Sequence, residues 1–85
     1  MAITNAIEAI IKAKEKLVEV NGVLGVVMFQ VESSNLLESY PKNNNKPTWK
    51  VVCNFFTNLN GDKKVTREIF LDKETGEVVD LNGYH

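Results

Sequence analysis

This 85-residue chain holds a single cysteine, a single histidine and only two prolines. One cysteine excludes an internal disulfide framework and a four-cysteine zinc site. With one histidine beside it, a conventional zinc centre lacks its nitrogen and sulfur donors. Neither sign of charge is in excess: ten Lys plus Arg stand against eleven Asp plus Glu, a net charge of −1. Duplex binding calls for a basic surplus gathered on one face, so no nucleic-acid partner is expected. Long apolar runs are missing too. The longest uncharged one, residues 23–29, falls far short of the roughly 20 residues of a membrane helix. Residues 1–5 carry no basic region, and charges interrupt the chain from Glu8 onward. No signal peptide is expected, which points to a cytoplasmic protein with Cys53 reduced. An exported domain given a new Met1 would read the same.

What is present is an ordinary globular balance, 44% hydrophobic and 25% charged, in a length that makes one domain over 1–85. Ile3, Ala6, Ile7, Ile10, Ala13, Leu17 and Val20 recur at spacings of three and four, which predicts a helix over 4–20. Thr4 or Asn5 caps it, Asn5 with Glu8 has capping-box spacing, and Asn21-Gly22 supplies a left-handed exit. A β-branched and aromatic run predicts a first strand over 23–32. Residues 33–46 read as a polar connection in which Leu36, Leu37 and Tyr40 form a short helical turn or a strand extension, and whose tip, 41–47, is a mobile loop between two prolines. Alternation predicts strands over 48–57, 63–72 and 77–81, with Asn60-Gly61 and the 72–76 segment as turns. One helix and a four-stranded antiparallel meander make an α+β domain, the helix lying on one sheet face.

The predicted core gathers Ile7, Ile10, Leu17, Phe29, Trp49, Val51, Phe55, Ile69 and Leu71. The opposite sheet face then carries Val52, Phe56 and Phe70 among polar residues. A three-residue loop over 60–62 sets Val52 directly opposite Phe70, whereas a two-residue Asn60-Gly61 loop shifts the register by one. In neither register do all the apolar residues fit one face. Val52, Phe56 and Phe70 are therefore the candidate protein-binding surface, for a partner or a second copy. The competing expectation is that Leu36, Leu37 and Tyr40 fold over that patch as a lid.

The segment from Trp49 onward resembles PepSY-type modules and their cystatin-like relatives. Its matching features are Trp49-Lys-Val-Val52 and the run from Phe70 to Val79, where a strand enters an Asp-x-x-Thr-Gly-Glu turn. The resemblance implies a helix packed on such a meander. It also implies a non-catalytic inhibitory or regulatory role, and no catalytic residues are carried over with it.

Little else in the chain suggests chemistry. Cys53 falls mid-strand on the apolar face with no cationic neighbour expected, and His85 is the terminal residue, so neither makes a nucleophile–base pair. Asp72, Glu74, Glu77 and Asp80 cluster, but without the spacing of a calcium loop or an apolar pocket to raise a carboxyl pKa. Gly22-x-x-Gly25 lacks the rest of a phosphate-binding fingerprint. Lys12, Lys14, Lys16, Lys63, Lys64 and Arg67 interleave with glutamates, and Phe29, Trp49 and Phe55 are needed in the core. No catalytic, metal or cofactor site is expected. The leading expectation is a small non-enzymatic binding or regulatory module acting through its sheet surface. The alternatives are a ligand-binding or enzymatic domain with a pocket between helix and sheet, or a phage or mobile-element protein that binds a host enzyme.

Overall fold

The computed structural model describes residues 2–84, so the expectations for His85 lie outside the described residues. Helix α1 (Ala6–Asn21) is followed by four strands, β1 (Val27–Tyr40), β2 (Lys46–Phe56), β3 (Lys64–Asp72) and β4 (Val78–Tyr84). All neighbours are antiparallel and the sheet order is β1-β2-β3-β4, with α1 packed on one face. This is the expected helix-on-meander α+β arrangement.

Local chemistry sets the ends of α1. The Asn5 Oδ1 accepts the Glu8 N–H at 2.9 Å, and the Glu8 carboxylate accepts from the Thr4 N–H and hydroxyl at 2.7 and 2.6 Å. The first of these bonds satisfies a donor that the first helical turn leaves unpaired, and the other two tie the residue before the cap to the helix. They also hold the Glu8 carboxyl below its ordinary value, with the Thr4 hydroxyl the largest cause. At the far end Gly22, at φ +82°, returns its N–H to the Val18 carbonyl at 2.7 Å.

The core is narrower on the helix side than the sequence predicts. Ala9, Ala13 and Leu17 are buried to 0–1% exposure against Val51, Cys53, Phe55, Ile69 and Leu71, with Ile10, Phe29 and Val78 half-buried around them. Two small alanines let the helix backbone approach the sheet closely. That approach turns a second apolar stripe outward, so Ile7, expected in the core, is 69% exposed. Val20 is exposed as well. Ile3 fills the place expected for Ile7: it is 1% exposed, its carbonyl accepts the Trp49 indole N–H at 3.3 Å, and its N–H donates to the Lys73 carbonyl at 2.8 Å.

Two other expectations change. Residues 23–25 form a short 3-10 turn, and β1 continues through the segment expected as a polar connection, as far as Tyr40. An edge strand is hydrogen-bonded on one side only and half wet, so its polar residues carry little alternation to read. The expected tip over 41–47 holds a second 3-10 turn, Pro41–Asn43, in which Asn43 is 8% exposed. Asn44 and Asn45 follow at φ +55° and +60°, a conformation that asparagine tolerates better than most residues. Between β2 and β3 the chain spends seven residues, 57–63, closed by the Thr57 N–H to the Lys63 carbonyl at 3.1 Å. The register is therefore two residues from the three-residue-loop expectation. A shift of two preserves the faces, which is why Trp49, Val51, Cys53 and Phe55 remain toward the helix.

Candidate functional site

The outer sheet face carries the three expected residues Val52, Phe56 and Phe70, but does not bring them together as one patch. Phe70 lies opposite Lys50, and Val52 opposite Glu68. The Lys50 ammonium and Glu68 carboxylate pair at 3.1 Å on this diagonal, between Phe70 and Val52. The face is thus divided into two ends.

One end is closed by the β1–β2 turn. Tyr40 stacks flat on Phe70, with ring centroids 4.6 Å apart and planes 3° from parallel, and Phe70 is only 5% exposed. The Tyr40 hydroxyl donates to the Asp80 carboxylate at 2.8 Å, and Lys42 pairs with the same oxygen at 3.3 Å. Asn43 inserts beside them, donating its Nδ2 to the Thr48 hydroxyl at 3.0 Å and the Asp72 Oδ2 at 2.8 Å. The other Asp72 oxygen accepts the Glu74 and Thr75 N–H groups at 2.8 and 2.9 Å. The lid expectation is therefore met in part. Tyr40 covers Phe70, but as the last residue of a strand, and Leu37 is half-buried opposite Thr48 on the same face, while Leu36 lies opposite Trp49, toward the helix, and is 38% exposed.

These contacts account for the carboxylates. The Asn43 amide, followed by the Thr75 N–H, holds the Asp72 carboxyl below its ordinary value. The Tyr40 hydroxyl and Lys42 do the same for Asp80, while burial and Asp80 push the Tyr40 hydroxyl up to about 12. Among the described residues, no group of three or more His, Cys, Asp or Glu is disposed to hold a metal ion.

The other end is open. Val52, Asn54 and Phe56 form a row along the interior strand β2, flanked by Glu68, Thr66 and Lys64 on β3. Val52 and Phe56 are half-buried. Between them Asn54 is 8% exposed, and its Nδ2 donates to the Glu32 carboxylate at 3.2 Å. Glu32 is the extra residue of a β-bulge between Val31 and Ser33, a device that re-aims a side chain. The Asn54 Oδ1 is buried with no hydrogen-bond partner among the described residues. Such an orphan acceptor costs about 1–3 kcal/mol.

On the helix face Cys53 is fully buried, and its thiol donates to the Arg67 carbonyl at 3.8 Å. Burial, with the Glu32 charge, pushes it up to about 12. Arg67, directly opposite, is the cationic neighbour that the sequence reading missed, and its opposing effect does not outweigh burial. Helix and sheet meet through Ala13, Leu17, Val51 and Ile69 at 0–1% exposure. Cavities of about 360 and 370 Å³ lie elsewhere, one between the helix flank and Gly76–Val78, the other along Ile11, Lys14, Glu15 and Val18.

Sequence reasoning did not find the larger exposed apolar surfaces. Ile7 and Ile11 stand outward on α1 at 69% and 53% exposure, and Val20, Val23, Leu24, Met28 and Leu59 are each more than 60% exposed. The i, i+4 spacing of Ile7, Ile11 and the neighbouring Val18 was the available signal. Among the described residues, no helix is long and apolar enough to cross a membrane. Comparison of the chain with family models, with curated proteins and with solved structures gives no match.

Proposed function

We propose that the chain is a small non-enzymatic binding or regulatory module that meets a protein partner through the open end of its outer sheet face. One observation carries the reading. The row Val52–Asn54–Phe56 lies on an interior strand, half-exposed at both apolar residues, while the same face is closed over Phe70 by Tyr40. An aromatic residue on a rigid strand, set among polar neighbours, is a form that interface anchors take.

The rest of the chemistry supports the same reading. The one thiol is buried and held protonated. Asp72 and Asp80 are committed to holding turns. The space between helix and sheet, where an enzymatic or ligand-binding reading needs its pocket, is filled by Ala9, Ala13 and Leu17. The resemblance of residues 49–79 to PepSY-type and cystatin-like modules points to the same non-catalytic role, regulatory or inhibitory.

The test is capture of binding proteins from the native organism by the parent, by Phe56→Lys and by Lys42→Ala, each checked by thermal melting. Loss of a bound protein in Phe56→Lys alone, with the fold retained, supports the proposal. Full retention by a folded Phe56→Lys protein refutes it.

A further inference from the structure

The two edges of the sheet differ. β4 has 7 residues, whereas β1 has 14, from Val27 to Tyr40, and contains no Lys, Arg or Pro. Proteins ordinarily blunt a long edge with such residues, because its unpaired N–H and C=O groups form a template for another strand. β1 has bulges toward both ends, but its middle, 33–37, pairs regularly with β2.

The helix flank above this edge is also unpartnered. The Ser34 hydroxyl donates to the Ala6 carbonyl at 3.1 Å, and the Lys14 ammonium sits 5.7 Å from the centre of the Phe29 ring. These contacts orient α1, bringing the flank that carries Ile7, Ile11 and Val18 to the β1 side. Ile7 and Ile11 are 69% and 53% exposed, and beneath that flank Val31 and Leu36, on the helix side of β1, are 37% and 38% exposed.

We infer that this edge and flank form a two-fold interface with a second copy of the chain. In an antiparallel β1–β1 pair the axis falls near the middle of the strand, by Ser34, and both helices lie on the same side of an eight-stranded sheet. The apolar flanks then face each other across the axis, as an isologous interface requires.

Charge selects the occupant. Lys14, on α1 above Phe29, and Glu38 have no ion-pair partner among the described residues, and Phe29 and Glu38 lie toward opposite ends of β1. About an axis at Ser34, with Glu32 the extra residue of the bulge, Val31 falls opposite Leu36 and Phe29 opposite Glu38, so an antiparallel copy brings each Lys14 to the partner's Glu38, twice per dimer. In the same pairing Glu32 faces neutral residues rather than another glutamate. This surface is separate from the Val52–Phe56 row, and the inference stands whether or not that row binds a partner.

Sedimentation velocity over a concentration series of the full chain tests it. The parent is expected to dimerise reversibly. Ile11→Lys, at an exposed position, should raise the dimer Kd by about a hundredfold. Lys14→Glu and Glu38→Lys should each raise it by about tenfold, and the double exchange should restore it. Circular dichroism serves to confirm that each variant is folded. A parent that stays monomeric at high micromolar concentration overturns the inference, whether or not it captures other extended peptides. So does a dimer indifferent to Ile11→Lys, or a charge exchange that fails to restore association.

Discussion

Asn43 and Asn54 are equally buried, each at 8% exposure, and each reaches the outer face of the same sheet. Asn43 sits in the β1–β2 turn and donates to both Thr48 and Asp72. Asn54 sits mid-strand, donates once to an exposed glutamate and leaves its carbonyl oxygen unbonded. The first asparagine closes an end of the face. The second lies where the face stays open. Equal burial therefore conceals opposite contributions: a satisfied polar group fixes a turn, whereas a half-satisfied one lowers stability at the surface proposed for binding.

The largest expected effect falls on the core common to both ends. Phe55→Ala should cost about 3–5 kcal/mol in denaturant unfolding, because a large side chain at 1% exposure leaves a cavity behind. A loss below about 1 kcal/mol would mean that the two ends do not share this support.

The comparison itself is sharpened by exchanging each asparagine. Asn43→Ala should destabilise by about 1–3 kcal/mol, since Asp72 Oδ2 and the Thr48 hydroxyl lose their donor in a buried place. Asn54→Leu should be near neutral or stabilising, because it removes the orphan acceptor together with one bond to an exposed partner. Equal losses at both positions would erase the distinction.

Smaller effects follow from pH, and those of Asp72, Asp80 and Tyr40 report on the closed end. Asp72 and Asp80 are held below the ordinary carboxylate value of 3.8. Their stabilisation is complete above that value and disappears as pH falls through their folded values. Asn43→Ala should flatten the acid limb, because the largest cause of the Asp72 shift is removed. On the alkaline side Tyr40 and Cys53 are raised from 10.0 and 9.0 to about 12. The unfolded chain releases these protons first, so stability should fall as pH rises from 9.0 toward 12. Native Cys53 should meanwhile react slowly with a soluble disulfide reagent at neutral pH. Rapid stoichiometric labelling would contradict its burial.

Particular residues show what the sequence made legible. The period of α1 and the alternation of Trp49, Val51, Cys53 and Phe55 gave the architecture, since both patterns reflect one buried side. The angular position of the helix was not legible. Ile7 and Ala9 both fit an apolar stripe, and the closer approach allowed by alanine decided between them. The second half of β1 was legible only as one of two alternatives for Leu36, Leu37 and Tyr40, because an edge strand tolerates Ser33, Ser34, Asn35 and Ser39 without alternation. At the candidate site, alternation placed Val52 and Phe56 correctly on the outer face. It did not show that Tyr40 covers Phe70, a contact that depends on the left-handed Asn44 and Asn45 turning the chain back.

The proposed function depends most on the open end being the place where this face meets another protein. The direct measurement is photo-crosslinking in the native cell, with a benzophenone side chain at position 56 or at position 42, on the exposed turn of the closed end. A discrete adduct is expected from position 56 and none from position 42. Adducts from position 42 alone, or from neither position, would contradict the proposed function.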